Sequence, residues 1–453
     1  MSPWFAITPS ASSDWVDPLM RVLSLSDYNT RVVVLGTSAL GTACGVIGSF
    51  MLLRKRSLMA DSVSHATLPG ICLAFIVMVQ MGGTGKWLPG LLLGALLSGL
   101  LGMSLVLLLN RYTRVKEDAA LGIVLSCFFG AGVALLGVIQ KMSKGSAAGL
   151  ESFIYGKTAS MLISDAYLIG AVALLALVTC ALLFKEFTLL CFDQDYAGSQ
   201  GFPVATLDVL LMTLVVLITV IGLQAVGLIL VIALLIIPPA AARFWTDSLH
   251  SMALVAAAMG ALGSAFGAAL SAVIPKLPAG AIIVVTYSVL FLLSLLAGKK
   301  SGVLIRLYRH WSLNRKVGRQ NLLRAFHECM ERSGLDQVSL DELVRARSWS
   351  ASTVSGLLKR TVSAGLVSQM GDHYTLSPAG HELARRLVRN HRLWEMYLIN
   401  YADIAPSHVD RDADRVEHIL SEELIQELGE LMEQEYPPSQ CPRCPHTAQR
   451  GEK

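Results

Sequence analysis

Two pairs of residues stand out in this sequence because each places an oxygen donor and a nitrogen donor four positions apart. Asp61 and His65 form the first pair, within an apolar stretch, and His391 and Glu395 form the second, within a charged stretch. Residues four apart lie on one face of an α-helix. A carboxylate combined with an imidazole suits Mn²⁺, Fe²⁺ or Zn²⁺. Both pairs are therefore candidate metal ligands.

The first pair is informative because ionisable groups are rare in membrane-spanning segments. A charged side chain at the centre of a span costs roughly 2.5–3.5 kcal/mol on insertion scales, so Asp61 and His65 require a partner or a role. In one interpretation both bind a metal ion; in the other, Asp61 caps a helix at the membrane interface and His65 hydrogen-bonds to it. We expect Leu68-Pro69-Gly70 to open the helix where its backbone lines a path. Spacing alone leaves both interpretations open.

More candidate ligands lie near the C-terminus. Asp414, Glu417 and His418 share a helix face at spacings of three and four. Packed against His391 and Glu395, they would give a nitrogen-and-oxygen site for a divalent first-row metal. Surface salt bridges with neighbouring arginines are the alternative interpretation. A further group has ligand-like spacing, and whether it binds metal stays open: Cys441, Cys444 and His446.

The elements that must position these residues fall into an apolar part and a charged part. The chain is 53% hydrophobic and only 15% charged, which is too apolar for a soluble protein of 453 residues. The apolar residues are concentrated before about residue 298, and the remainder is charged and amphipathic. We therefore predict an all-α membrane domain followed by a soluble domain. The predicted boundaries are 1–31 for an external segment, 32–298 for the membrane domain, 299–318 for a basic linker, 319–380 and 381–440 for the soluble regions, and 441–453 for a tail.

We predict nine membrane spans, with eight as the alternative, from apolar runs long enough to cross roughly 30 Å of hydrocarbon. Basic residues at Arg54-Lys55-Arg56, in the loop after residue 110 and after the last span fall on one side, which the positive-inside rule makes cytoplasmic. The N-terminus is then outside and the C-terminus inside. The first 31 residues lack the pattern of a cleaved signal peptide. The predicted spans are 32–53, 62–80, 87–110, 118–140, 162–184, 207–223, 225–245, 250–273 and 279–298.

A polar gap between two of these spans contains a compact candidate for protein docking. Asp193, Asp195 and Ala197 lie in this gap, and Gly201 can end a short helix because glycine tolerates the left-handed conformation. A solvated loop without a partner is the alternative. The glycine-rich segment 82–86 lacks the residues that a phosphate-binding loop needs at its ends. We therefore expect no enzyme activity in this chain, and any ATP hydrolysis would take place in a separate subunit.

The soluble part has the pattern of a winged helix-turn-helix domain. A capping box begins at Ser339, and a second helix starts near residue 351, so two helices are joined by a short turn. Alternating residues on both sides of Gly371 predict a hairpin wing, and Pro378 begins a long helix. The second helix would contact DNA phosphates and bases. Its candidate DNA-binding residues are Ser352, Thr353, Ser355, Lys359 and Arg360.

The membrane part resembles the manganese/zinc/iron ABC permease family. The segment 54–70 is similar to the signature segment of that family, and further matches lie at 117–122, 223–227, 238–240 and 277–280. The resemblance implies that Asp61 and His65 contact the ion in transit and that the 193–201 segment docks onto an ATP-binding subunit. It also implies a periplasmic metal-binding protein, a second permease subunit that is either identical or a sister, and a location in the bacterial inner membrane.

The soluble part resembles the iron-dependent, diphtheria-toxin-repressor family over residues 319 to about 446. The segments that carry the resemblance are 365–367, 376–380, 390–395 and 416–421. It implies that His391, Glu395, Asp414, Glu417 and His418 bind the activating metal and that the domain dimerises on operator DNA. At two positions the sequence departs from the family: Leu322 replaces a usual ligand, and Asp414 stands where iron sensors often have cysteine and manganese sensors have a carboxylate. The metal therefore stays undecided.

The fusion of both parts resembles the chlamydial type of permease–repressor fusion. We predict a permease subunit for Fe²⁺, Mn²⁺ or Zn²⁺ with a metal-dependent DNA-binding repressor domain, which proteolysis in the basic segment would release. Two other functions stay open. The chain could be a membrane-bound sensor that has lost transport, or its soluble domain could be a cytoplasmic metal sensor that gates transport without binding DNA.

Overall fold

The chain divides into two compact units, Met1–Arg306 and Leu307–Lys453. The computed structural model describes residues 27–56, 58–83, 85, 87–142, 156, 158–273, 278–347 and 349–401. The predicted external segment before residue 27 and the region after residue 401 lie outside these ranges. The candidate ligands after residue 401 are therefore not placed by the structure: Asp414, Glu417, His418, Cys441, Cys444 and His446.

The first unit contains eight helices that are long and apolar enough to cross a membrane, counted over the described residues. Each combines 19 to 26 residues with a mean hydropathy that favours hydrocarbon over water. In chain order they are α1 (Tyr28–Leu53), α2 (Met59–Gln80), α3 (Leu88–Tyr112), α4 (Glu117–Gln140), α5 (Ile163–Leu182), α8 (Val204–Val226), α10 (Leu249–Val273) and α11 (Ala279–Ala297). Between them lie a 3₁₀ turn (Thr158–Ser160), α6 (Phe184–Phe192), α7 (Gln194–Ser199) and α9 (Leu228–Ala242).

The predicted span at 225–245 is a shorter helix than we expected. Helix α9 has 15 residues, which at about 1.5 Å per residue is shorter than the hydrocarbon layer is thick. Gly227 separates it from α8 because its φ of +87° breaks the helical conformation. A count of nine full-length spans is thus not confirmed: eight helices meet the length, and α9 is a shorter apolar helix beside them.

Helix α1 lies at the centre of the first unit because small residues allow neighbouring backbones to approach it. A Cβ atom added to Gly260 of α10 would lie 2.1 Å from the carbonyl oxygen of Gly41, and one added to Gly45 would lie 2.4 Å from that of Ala256. Small residues support such close packing of membrane helices. By contrast, most residues of α4, α5 and α11 are not buried within the protein, as expected of helices that face lipid.

The second unit is a small helical domain with a three-stranded antiparallel sheet. The long helix α12 (Val303–Ser333) begins before the boundary between the units, so the segment predicted as a basic linker is helical from Val303 onward. Strand β3 pairs with both β1 and β2, and the β2–β3 turn contains Gly371 at a φ of +62°. The remaining elements are β1 (Val338–Ser339), α13 (Leu340–Arg347), α14 (Ala351–Ser363), β2 (Val367–Met370), β3 (His373–Leu376) and α15 (Pro378–Tyr401).

The core of the second unit forms where α12, α13 and α14 pack on the sheet. Leu322, Phe326, Leu343, Val354 and Leu358 are each at most 1% exposed within one cluster. A helix pair, a hairpin and a long helix follow in the order that the sequence predicts. Leu322, which the resemblance places at a usual ligand position, is fully buried in this apolar core, so its side chain serves packing.

We expect Gly260→Ala to destabilise the first unit, because the new methyl group would meet the backbone of Gly41. Overpacking of this kind costs about 1–3 kcal/mol. The measurement is the thermal unfolding midpoint of the purified chain in detergent. Gly130→Ala is the control, since a Cβ there has no neighbour within 4 Å. Equal midpoints for both variants would contradict the close contact between α1 and α10.

Candidate metal sites and docking segment

Asp61 and His65 lie on one face of α2 and contact each other. Nε2 of His65 is 3.4 Å from Oδ1 of Asp61, and the two side chains are 21% and 34% exposed. The His65 ring also packs edge-on against Phe129 of α4, with 4.8 Å between ring centroids. A carboxylate oxygen and an imidazole nitrogen are thus held together and remain accessible. This arrangement can donate two ligands to a divalent ion.

Among the described residues, Asp61 makes no capping hydrogen bond at the start of α2. Asp61 is in the first turn of α2, but the N-cap position is Leu58, which has no side-chain cap. The helix also does not open at Pro69: α2 continues to Gln80, and Pro69 is buried inside it. A Cβ on Gly70 would lie 2.1 Å from the carbonyl oxygen of Gly94, so glycine here allows α2 and α3 to pack closely. Our expectation of an opened helix is therefore wrong.

A cluster of four charged side chains lies at the ends of three spans, and two of its members precede α2 in the chain. Arg54 and Arg56 follow α1, Asp208 lies in the first turns of α8, and Glu117 begins α4. Nη1 of Arg56 donates to both carboxylate oxygens of Asp208, at 2.8 and 3.1 Å. Arg54 also pairs with Asp208, and Arg56 pairs with Glu117. The Arg54 side chain is only 3% exposed, so Asp208 supplies the opposite charge that its burial requires.

Sequence reasoning missed this cluster, although one signal was present. Asp208 is the one ionisable residue in the predicted span 207–223, and a charge within a span implies a partner. The partners could not be identified because Arg56 lies 152 positions away in sequence.

The candidate docking segment is a single short helix with a buried anchor. Oδ1 of Asp193 accepts a hydrogen bond from the backbone N–H of Tyr196 at 2.9 Å and so caps α7. Ala197 is 1% exposed, and α7 packs on α6 and α8. Asp195 and Tyr196 point outward, and Gly201 follows α7 with a φ of +84°. The predicted residues thus form a compact knob whose polar and aromatic side chains are available to a partner.

In the second unit, His391 and Glu395 are buried together on α15. Nε2 of His391 lies 3.3 Å from Oε1 of Glu395, and the side chains are 5% and 3% exposed. Arg324 of α12 is equally buried, with Nη1 at 2.8 Å from Nδ1 of His391. Because a guanidinium can only donate, Nδ1 accepts and Nε2 carries the ring proton toward the carboxylate. These three side chains form a buried polar network, and Nε of Arg324 also lies 3.5 Å from Oε1 of Glu328.

A second ion pair joins the same two helices. Nη2 of Arg392 donates to Oε2 of Glu331 at 2.5 Å, and this hydrogen bond lowers the pKa of Glu331. Burial lowers the pKa of the nearby His327, although the Glu331 carboxylate acts in the opposite direction. At neutral pH Glu331 is therefore charged and His327 neutral. Two contacts thus join helices α12 and α15: the hydrogen bond from Arg324 to His391 and the ion pair between Glu331 and Arg392.

The structure brings together two of the five predicted regulatory ligands. Among the residues it describes, no three His, Cys, Asp or Glu side chains are placed to hold one ion. His391 and Glu395 supply a nitrogen and an oxygen donor, which fits a first-row divalent metal. The other three, Asp414, Glu417 and His418, lie outside the described ranges, and their role stays a prediction.

The predicted DNA-binding residues lie on the outer face of α14. Ser352, Thr353, Lys359 and Arg360 are exposed and Ser355 is half-buried. Val354, Leu358 and Thr361 of the same helix are buried in the core. The helix begins at a capping serine, whose hydroxyl accepts from the backbone of Thr353 at 3.2 Å. The exposed hydroxyl and basic groups are available for phosphates and bases.

Comparisons with known proteins match one family in each of the two units. Residues 26–298 match the ABC 3 transport family, and residues 377–449 match the iron dependent repressor, metal binding and dimerisation domain. A manganese transport system membrane protein (MntC) of Bacillus subtilis is 38% identical over 86% of this chain and 88% of its own length. A zinc transport system membrane protein (TroC) of Treponema pallidum is 43% identical over 64% of this chain and 95% of its own length.

Two further relatives cover the fusion and the fold. A probable metal transport system membrane protein of Chlamydia trachomatis is 26% identical over 90% of this chain and 94% of its own length. The solved structure of PsaBC from Streptococcus pneumoniae in complex with Fab has a TM-score of 0.53 at 30% identity, covering 64% of this chain and 97% of that chain. Both resemblances found in the sequence are confirmed by these matches.

Proposed function

Because the chain belongs to the ABC 3 transport family, we propose that it is the permease subunit of an ATP-driven importer for a divalent metal ion. The similarity to the manganese transport protein over 86% of this chain carries the proposal. Its partners would be an ATP-binding subunit, a periplasmic metal-binding protein and a second permease subunit, either identical or a sister. The chain would lie in the inner membrane, with its second unit in the cytoplasm.

The Asp61–His65 pair supports this function with chemistry. An ion in transit would take an oxygen from Asp61 and a nitrogen from His65, and it would replace the contact that these groups make with each other. The partial exposure of both side chains leaves them open to an ion from outside the helix bundle. The donor set accepts Mn²⁺, Fe²⁺ or Zn²⁺, and we propose this class of ion as the cargo.

We expect His65→Ala to abolish metal accumulation by cells, because the Asp61 carboxylate alone binds a divalent ion more weakly than the Asp61–His65 pair. The matched control is His250→Ala, which removes the one other histidine of the first 300 residues. Cellular Mn²⁺, Fe²⁺ and Zn²⁺ contents would be measured by mass spectrometry at equal amounts of assembled complex. Normal accumulation with His65→Ala would contradict the transit role.

The α7 knob would transmit ATP hydrolysis to the spans. Ala197 anchors α7, and the helix packs on α8, which also carries Asp208 of the charged cluster. A displacement of α7 would therefore act on α8, which forms ion pairs with Arg54 and Arg56 before α2. Asp193 and Gly201 would set the shape of the knob, and Asp195 would contact the ATP-binding subunit.

We expect Asp195→Arg to weaken co-purification of the ATP-binding subunit, because the change reverses an exposed charge without affecting the buried anchor. Gly201→Pro should have a similar effect, since its φ of +84° is inaccessible to proline. Asp27→Arg serves as the control, because it makes the same charge reversal at the start of α1. Unchanged yield and ATPase coupling in both α7 variants would exclude α7 as the docking site.

For the second unit we propose a metal-dependent DNA-binding repressor domain. His391 and Glu395 would hold the metal together with Asp414, Glu417 and His418. A metal bound at Nδ1 of His391 would displace the Arg324 N–H that donates to this nitrogen. A metal bound at Nε2 would instead require the proton of the neutral ring to move to Nδ1, where it would face the Arg324 N–H, a second donor. Loading the site therefore requires Arg324 to leave His391. Arg324 would act as a built-in competitor of the metal.

A gating sensor is the second candidate function for this unit. It is favoured because the single helix α12 runs without a break across the boundary between the units. In that case metal would stop transport directly. Residues 299–302 before α12 would then stay intact, whereas release as a repressor requires cleavage near this segment.

We expect residues 307–453 to bind an operator fragment in the presence of Mn²⁺ or Fe²⁺ and not in the presence of a chelator. Lys359→Ala with Arg360→Ala should abolish DNA binding and leave metal binding intact, whereas Arg324→Leu should strengthen metal binding. Gel shifts and metal titrations measure both, with immunoblots for a released fragment in cells. An uncleaved chain whose second unit ignores DNA would leave only the gating sensor.

A further inference from the structure

Helix α12 has two halves with different surroundings. In its second half Leu322, Leu323 and Phe326 are fully buried in the core of the second unit. In its first half six large apolar side chains are exposed, and four of them lie at positions i, i+3, i+4 and i+7, which share one face of a helix: Leu304 is 56% exposed, Leu307 60%, Tyr308 70% and Trp311 56%. The other two, Val303 at 38% and Leu313 at 44%, lie off this face.

The charged side chains in the first half of α12 are all basic. Residues 303–320 include no Asp or Glu. The guanidinium of Arg315 lies 3.2 Å from the centroid of the Trp311 ring, so one cation borders the apolar face directly. The five cations of the segment are Arg306, Arg309, Arg315, Lys316 and Arg319.

The start of α12 is fixed at the end of the last span. Helix α11 ends at Ala297, and five residues separate it from Val303. At about 3.3–3.6 Å per residue, the six steps from Ala297 to Val303 can extend no further than about 22 Å. They are also held down: the backbone N–H of Lys300 donates to the carbonyl of Phe244 at 3.1 Å, and its ammonium pairs with Asp247 at 2.7 Å. If α11 crosses the membrane, the first turns of α12 would therefore begin near the membrane–water interface.

The amino-acid composition of the first half of α12 indicates what its apolar face contacts. Five cations exclude a membrane-spanning helix. Self-association of two such faces would bring cations together without a carboxylate in residues 303–320 of either copy, which is unfavourable. A helix with aromatic and aliphatic groups on one face and cations elsewhere suits the surface of an anionic bilayer.

We propose that residues 304–319 form an amphipathic anchor that lies on the anionic surface of the membrane crossed by the first unit. Leu304, Leu307, Tyr308 and Trp311 enter the boundary between headgroups and acyl chains. The basic side chains reach the lipid phosphates. This inference depends on the first unit crossing a membrane and not on its cargo, so it can fail while the proposed transport function stands.

The test places an environment-sensitive fluorescent amino acid at position 307, and at position 309 in the matched control, in the full chain reconstituted in nanodiscs. With anionic lipids brominated on the acyl chains, we expect quenching and a blue-shifted emission at 307 and neither at 309. Purely zwitterionic nanodiscs should reduce the quenching at 307. A water-like, unquenched spectrum at both positions would overturn the anchor.

Two other results would contradict the anchor on an anionic membrane surface. A blue shift at 307 without quenching by brominated lipid would mean that protein covers the face, and the anchor would be wrong. Equal quenching in zwitterionic and anionic nanodiscs would exclude the anionic surface as the ligand. Trp311→Phe in the otherwise unmodified chain tests the same contact without a probe, so misfolding of the probe variants cannot affect it. This change should remove a lipid-quenched component of the tryptophan fluorescence.

Discussion

The cost of an unpaired charge away from water is the constraint on which the arrangement of the first unit depends. Arg54 and Arg56 leave α1 and meet Asp208 of α8, and Arg56 also meets Glu117 of α4. Removing one partner from a buried pair of this kind costs about 3–5 kcal/mol. The four side chains therefore hold the ends of three spans together. The backbone carbonyl of Arg56 also accepts from Met59 at 3.0 Å, so the same cluster fixes the start of α2, two residues before Asp61.

The same constraint acts in the second unit with a different result. Arg324, His391 and Glu395 are buried, and each supplies the charge or hydrogen bond that another lacks. This network can be stable without metal, because the guanidinium provides the cation. A domain that already contains a cation at its candidate site would respond to metal by exchange. Its affinity for metal would then depend on how firmly Arg324 is held, as well as on the ligands themselves.

The sequence predicts features set by local physics. Apolar length identifies the spans, and the spacing of Asp61 and His65 predicts a contact that the structure contains at 3.4 Å. Features that depend on distant residues escaped prediction. Arg324 and His391 are 67 positions apart, so no spacing rule connects them. The continuous helix at Pro69 was missed because the neighbouring α3 supplies a glycine-lined surface that packs against it, which overrides the local tendency to open.

Uptake by the purified complex tests the central claim most directly. The chain would be reconstituted in proteoliposomes with its ATP-binding subunit and its external metal-binding protein, and radiolabelled Mn²⁺, Fe²⁺ and Zn²⁺ would be followed. We expect one or more of these ions to accumulate against its gradient when ATP is supplied on the side of the ATP-binding subunit. Accumulation that is absent with ATP, or equal without it, would contradict an ATP-driven metal permease.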